Sequence, residues 1–482
     1  MIGVFIVALL FSMQGVGLTA YDPHFGISGL SKNIELFSNA GIKWAKMGNV
    51  AWGIVEPEPP KKGIHRYDWS GTDRWILEVQ QYGINLKVIL HAVSEWGTTH
   101  PAKRRKGKDA ASAHPGNKYI GDYQDFISNI VERYDGDGKD DMPGLKVPVK
   151  YWQIGSEVHN RPMWAGTVEE YLSMLKLGYE SAKKADPDSK IILAEFGFSG
   201  FFCDIREEKE IEEALKMVMK DPRSEHTYTF IKTLLRDGRY FDIVSFHPGH
   251  CYNGIPWAIK ELNKEMNERG YKRPIWIGDM ASGPFFGKGK GLTEAKTDKY
   301  KESEEEEKLN IMESESHPKH KEVEKWYRKE QARLSVKKPV VALAHGAEKI
   351  FLANPFDWSD YYLPSFRYFG LLDRKGNPRP AFYAYKLLIE KVGGFSNINI
   401  LSEKDGRYIY RFLIKEKNRE VYLLWNENGE KEVRLSPNGK RVRITNTVAM
   451  DTGIFSENVR EISGDEVKID LNSDPLIVEV IK

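Results

Sequence analysis

Between residues 40 and 390, short apolar runs recur at intervals, separated by longer stretches whose apolar positions fall three and four apart. The short runs fit buried strands, and the longer spacing fits amphipathic helices packed against them. Residues 34–40 read as a helix before strand two at 42–47, and a helix over 73–82 leads to strand three at 85–91. Further pairs are a helix over 123–134 with strand four at 149–154, and a helix over 168–185 with strand five at 190–194. Helices over 228–237, 256–269 and about 324–345 precede strands six (243–247), seven (274–277) and eight (349–352), and a helix over 381–391 closes the series. Seven strands after residue 40 and one before it make eight. No glycine-rich phosphate loop follows the early strands, so the pattern predicts an α/β protein of the closed (β/α)8 TIM-barrel type rather than a doubly wound sheet.

The texture changes after Gly393-Gly394. Runs at 408–414, 420–425, 442–445, 466–471 and 476–481 alternate apolar and polar residues between Gly, Asn, Asp and Pro. They predict a small antiparallel β-domain over 393–482 beside a barrel over 1–392. The stretch 287–324, rich in Lys and holding Glu304–Glu307, is a charged insertion after strand seven. Its composition predicts a solvated, mobile segment, and its place over the ligand-facing ends of the strands makes a lid the functional alternative. The apolar run at 4–11 has two readings, a signal-peptide core in an exported protein or a buried first strand in a cytoplasmic one.

Charge narrows the partners. Lys and Arg number 71 against 69 Asp and Glu, which gives no electrostatic case for nucleic acid. No other apolar run approaches a membrane-spanning length. Cys203 and Cys251 lack metal-ligand spacing around them and read as free thiols in loops on one barrel face, and no metal or organic cofactor is implied. Aromatic residues make up 12% of the chain. Most serve as core volume, but pocket-facing rings also stack on the apolar faces of sugars.

The segment Tyr151-Trp152-Gln153-Ile154-Gly155-Ser156-Glu157 puts a carboxylate directly after a buried strand, on the face where barrels of this kind do chemistry. Desolvation there would raise its pKa and suit it to general-acid work; the bland alternative is a rim residue in a salt bridge.

With these residues in view, the chain resembles the clan A glycoside hydrolases, family 39 and similar family 5-like barrels in particular. The likeness runs from about residue 30 to 390. It is carried by Gly155-Ser156-Glu157, Trp164 and Lys183–Asp188, by Ala40–Trp44, Trp52, Val55–Pro57 and Tyr67–Trp69, and by Phe241–Pro248, Ala344–Phe351, Phe369–Asp373 and Pro378–Ala381. The resemblance implies a carbohydrate substrate and two carboxylates, Glu157 on strand four as acid/base and the strand-seven residue as nucleophile, about 5–5.5 Å apart in retaining members.

Four positions, in three segments, depart from the group. Strand seven carries Gly278-Asp279 where the group has Thr-Glu, the strand-two Arg is Lys46, and the Asn before the acid/base is Ser156. Asp reaches one methylene less far, and Lys loses the planar fork of Arg. An Asp nucleophile in a remodelled site, an inverting reaction with a widened gap, or binding without hydrolysis are the three consequences open at this point. Glu195, at the end of strand five, is a reserve carboxylate. His91, Glu95 and Trp96, His247 and Tyr252, and Asn354, Asp357 and Trp358 sit at other strand ends and, with Lys46, Trp52, Ser156 and Trp164, form the expected substrate-binding set. Lys103, Arg104, Arg105, Lys106 and Lys108 could recognise an anionic sugar, or be no more than a solvated loop. The sequence therefore predicts a glycosidase acting on a β-linked glycan or glycoside. A catalytically silent carbohydrate-binding barrel and a transglycosylase are the alternatives.

Overall fold

The computed structural model describes residues 24–100, 111–203, 205–249, 251–284, 302–358, 367–414, 419–449, 453–463 and 465–481. The first sheet is parallel and contains β1 (Phe25–Ser28), β2 (Trp44–Ala51), β3 (Asn85–His91), β4 (Tyr151–Ile154), β5 (Lys190–Ile192), β6 (Phe196–Gly197), β7 (Val244–His247), β8 (Ile275–Ala281) and β9 (Ala347–Ala353). Their order around the sheet is β5-β4-β3-β2-β1-β9-β8-β7-β6. β5 and β6 are two ends of one barrel strand. β5 pairs with β4, β6 pairs with β7, and a parallel bridge between Ile192 and Ile243 closes the cylinder. Predicted strands six, seven and eight are thus β7, β8 and β9. Strand one is Phe25–Ser28, which pairs with both β2 and β9. The run at 4–11, the other candidate for this strand, lies outside the described residues.

The helix Val168–Ala185 shows why the local pattern was readable. Thr167 accepts the Glu170 N–H at 3.2 Å, and the Glu170 carboxylate accepts the Thr167 N–H at 2.7 Å, a reciprocal cap at its start. Its buried face, Tyr171, Met174, Leu175, Gly178 and Ala182, repeats at helical spacing against the barrel.

Inside the cylinder, side chains alternate in layers. Trp44, Tyr151, Ile192, Ile243, Trp276 and Phe351 plug its lower end, with Trp44 and Tyr151 ring centres 5.0 Å apart. Two residues further along the same strands the inward side chains become polar: Lys46, Gln153 and Ser245, all buried. The site stands on this layer.

Two expectations are corrected here. Cys203 and Cys251 are not free thiols but form a disulfide, because the loops after β6 and β7 run side by side and bring their Cα atoms to 5.7 Å. The charged insertion is not a solvated coil where it is described. Glu302–Glu313 is helical, with Leu309, Ile311 and Met312 buried; Leu309 and Met312 pack with Ala281 at the end of β8 and with Tyr327.

After the helix Pro380–Val392 the chain turns to antiparallel strands: β10 (Asn397–Lys404), β11 (Arg407–Ile414), β12 (Arg419–Asn426), β13 (Lys431–Leu435), β14 (Arg441–Asn446), β15 (Glu457–Glu461), β16 (Val467–Leu471) and β17 (Leu476–Ile481). Six form one sheet in the order β10-β11-β12-β17-β14-β15, while β13 and β16 pair separately. Along β12, Val421, Leu423 and Trp425 pack with the barrel's core, while Tyr422 and Leu424 pack with Val433 and Ile469 on the other face. β12, inside the large sheet, is therefore buried on both faces by strict alternation.

Candidate active site

Two backbone features aim the acidic side chains. The ladder between β4 and β5 ends early, and the Tyr171 hydroxyl takes its place, donating to Ile154 O and accepting from Ala194 N–H, both at 2.9 Å. Just beyond, Gly155 (φ 71°) turns the chain back, and Glu157 itself is left-handed (φ 47°), which costs a non-glycine residue on the order of 1 kcal/mol. Its N–H donates to Glu195 O at 2.8 Å, so the strained residue is pinned to the end of strand five. On the opposite wall, the β8–β9 register shifts between Ile277 and Met280, a bulge that lets Asp279 as well as Gly278 face inward.

These turns gather three carboxylates around three cationic groups. His247 Nδ1 lies 3.0 Å from Glu157 Oε1; its Nε2 lies 2.9 Å from Glu195 Oε2 and 3.6 Å from Asp279 Oδ2. Glu157 and Asp279 therefore approach one imidazole ring from its two nitrogens, Glu157 at Nδ1 and Asp279 at Nε2. Lys46 Nζ donates to Glu195 Oε2 and Asp279 Oδ2, each at 2.7 Å. Lys87 Nζ pairs with Glu195 Oε1, which also accepts from Ser245 Oγ at 3.1 Å. The Glu157 and Asp279 side chains are each 34% exposed, whereas Glu195 is 0% exposed. The first two face the opening and the third is an internal support.

The electrostatics correct one expectation. Burial pushes the Glu157 carboxyl up, but the hydrogen bond and charge of His247 outweigh it and hold Glu157 down to about 2. Burial would lower His247, yet Glu195 and its bond to Glu157 raise it to about 9. In the resting site the mobile proton sits on the imidazole. Burial likewise opposes Glu195, which the charges of Lys46 and Lys87 keep well below the ordinary carboxylate range. Burial brings Lys87 to about 8 against the pull of Glu195. Ligand atoms of Glu195, His247 and Asp279 lie within 4.8 Å of one another, but the positive charge such a group invites is supplied by Lys46.

The fold brings Lys46, Glu157, Glu195, His247 and Asp279 together, with Ser156 half-buried beside Glu157. His91, half-buried, meets Ser112 Oγ at 3.2 Å, and Trp96 donates to Glu56 O at 3.0 Å. Trp358 is 43% exposed, and Asp357 is bound up with Arg379 and the Gly370 N–H. Three residues of the expected substrate set are elsewhere. Trp52 is fully buried against Phe126 and Trp96, with its indole N–H on Glu56. Trp164 is buried on Tyr171, its N–H satisfied by Thr167 O. Tyr252 points to the β-domain, where its hydroxyl donates to Glu427 and its ring meets Trp425 and Tyr408. All three are large rings whose volume the core takes up. The basic residues 103–106 and 108 lie outside the described residues.

Lys87 and His159 were missed by sequence reasoning. A lysine amid the apolar Asn85–His91 strand, at an inward position, was the available signal for Lys87. His159 is buried near Glu157 with no partner for Nδ1 among the described residues, and burial lowers it to about 4.

No protein-family model and no curated protein sequence matches this chain. Solved structures do match its fold. A family 39 glycoside hydrolase from Bacteroides cellulosilyticus is 13% identical, with a TM-score of 0.61 over 95% of this chain and 81% of that one. A glucosidase from Croceicoccus marinus is 12% identical, with a TM-score of 0.58 over 95% and 96%. A monomeric β-xylosidase from Caulobacter crescentus is 11% identical, with a TM-score of 0.55 over 95% of each chain. The chain has the barrel and trailing β-sheet architecture of these glycoside hydrolases.

Proposed function

We propose that this protein is a glycoside hydrolase acting on a β-linked glycan or glycoside, with Glu157 as proton donor and Asp279 as nucleophile. The observation that carries the reading is the placement of two half-open carboxylates, from the ends of β4 and β8, on either side of His247. Glu157 protonates the glycosidic oxygen as the C1–O bond breaks, and an Asp279 oxygen bonds to C1. Water then attacks C1, its proton returns to Glu157, and Asp279 leaves as carboxylate. Lys46, 2.7 Å from Asp279, holds that carboxylate in place between turnovers, the task for which an arginine stands in the resembling group.

A 2-deoxy-2-fluoro aryl β-glycoside tests the assignment by trapping. Mass spectrometry should find the sugar on the peptide containing Asp279, and Asp279→Asn should not be labelled. Turnover with an inverted product and no label would make Asp279 a base acting on water. Glycan binding without turnover would favour the silent barrel.

We also read the protein as exported. Its two cysteines are joined, which suits an oxidising compartment, and the apolar run at 4–11 suits a signal peptide. Protein recovered from its native cell should show no thiol reactivity before reduction.

A further inference from the structure

The resting site poses a question for the hydrolase reading, on which this inference rests: Glu157 is a carboxylate, so its proton must come from elsewhere. His247 is the group in contact with it, and both ring nitrogens face carboxylate oxygens, Glu157 Oε1 at 3.0 Å and Glu195 Oε2 at 2.9 Å. Ionised carboxylates only accept hydrogen bonds, so both nitrogens must carry hydrogen and the ring is an imidazolium. Glu195 is placed to enforce this. It has no exposed surface, and Lys46, Lys87 and Ser245 hold it from three other strands.

The room for Glu195 comes from an unexpected quarter. A Cβ built on Gly278 would sit 1.7 Å from Glu195 Oε1, 2.2 Å from its Cδ and 2.7 Å from Ser245 Oγ. Any other residue at 278, the threonine of the resembling group included, would exclude this carboxylate from its position. The Gly278-Asp279 and Lys46 departures then share a cause. Glu195 enters where a side chain has been removed, and a single-point cation, Lys46, reaches both it and Asp279.

We propose that His247 is the proton store of the site, passing its Nδ1 proton to Glu157 as substrate arrives, that Glu195 holds the ring for this transfer, and that residue 278 is glycine so that Glu195 can do so. In the forward step the Nδ1–H bond breaks and Glu157 Oε1–H forms, leaving a neutral ring still donating from Nε2 to Glu195. Glu157 then protonates the leaving oxygen. During hydrolysis of the glycosyl intermediate, water's proton passes to Glu157 and back to Nδ1, so the cycle neither gains nor loses a proton. Glu195 and Gly278 are positioning residues; neither touches the sugar. The charged groups facing this chain are Asp279 from β8, Lys46 from β2, Lys87 behind Glu195, and His159 beside Glu157, with His226 beyond it.

NMR titration of the His247 ring, run beside the pH profile of kcat/KM on an aryl β-glycoside, tests the proposal in the intact chain. Wild-type His247 should titrate near 9, and the alkaline limb of the profile should fall at the same pH. In Gly278→Ala, which keeps every ionisable group but displaces Glu195, both should move down toward the ordinary histidine value of ~6.5. His247→Gln should lose ~10²–10⁴ in rate on substrates with poor leaving groups, and proportionally less on a dinitrophenyl glycoside that needs little protonation. Should Gly278→Ala fold poorly, Glu195→Gln and the wild-type titration carry the same comparison. Turnover with a wild-type His247 that titrates near 6.5 overturns the proton store alone. A His247 near 9 without turnover of any glycoside overturns the hydrolase reading, and the delivery step with it.

Discussion

At the scale of single residues, His247 couples the site's chemistry to the protein's stability. Its folded pKa of about 9 exceeds the ordinary value of 6.5, so its stabilising contribution is complete below about pH 6.5 and is lost as pH rises through 9. The Glu157 partner has the opposite sign: held at about 2, it stabilises above its ordinary value near 4.5 and ceases to do so as pH falls toward 2. The thermal midpoint of the wild type should decline between pH 7 and 9, and that decline should be shallower in His247→Gln; equal slopes would mean that the ring is not held protonated. The sequence made Glu157, Asp279, Lys46 and His247 legible because strand ends name themselves in an alternating β/α chain. It did not reveal that Glu195 and Gly278 share one space. That fact depends on which side chains of strands five and seven meet across the barrel, and no spacing along the chain encodes it. Nor did it separate Trp52, Trp164 and Tyr252 from rings that line a pocket, because a ring turned inward and a ring turned to the rim have the same local pattern.

At the scale of elements, what positions the pair is two local failures of regular strand structure. One is the bulge at Gly278-Asp279. The other is the gap in strand five, where the Tyr171 hydroxyl bridges Ile154 O and Ala194 N–H in place of strand-to-strand bonds. Removing that hydroxyl leaves two buried backbone groups without partners. Tyr171→Phe should therefore cost ~1–3 kcal/mol in denaturant unfolding, and should lower kcat by loosening the loop that carries Glu157. A loss of stability with kcat unchanged would show that the bridge is structural only. Strand ranges such as Asn85–His91, and the helix Val168–Ala185, were readable to the residue, since a full apolar run or a capping box marks their ends. The split of strand five was not, because a tyrosine from a neighbouring helix makes it.

For the whole molecule, the barrel and the β-sheet share one apolar interior. Trp425, fully buried, stacks on Tyr408 and meets Tyr252, while Lys337 and Glu427 pair across the same seam at 2.6 Å. Trp425→Ala should destabilise the protein by ~3–5 kcal/mol, measured by urea unfolding, and loosen the loop after β7 through Tyr252. A cost below ~1 kcal/mol would mean that the two units are merely adjacent. Fold class and the existence of the second unit were visible in the change of period after residue 393; the way its sheet lies on the barrel was not, since both faces of β12 are apolar. The proposed hydrolysis requires Glu157 and Asp279 to act together on one glycosidic bond. Its most direct test is the hydrolysis of a panel of aryl β-glycosides by the wild type, Glu157→Gln and Asp279→Asn in parallel. Turnover by the wild type is predicted on at least one sugar. On that sugar Asp279→Asn should be nearly inactive with every leaving group, and Glu157→Gln should fail most where the leaving group is poorest. Wild-type turnover that survives both substitutions would contradict it.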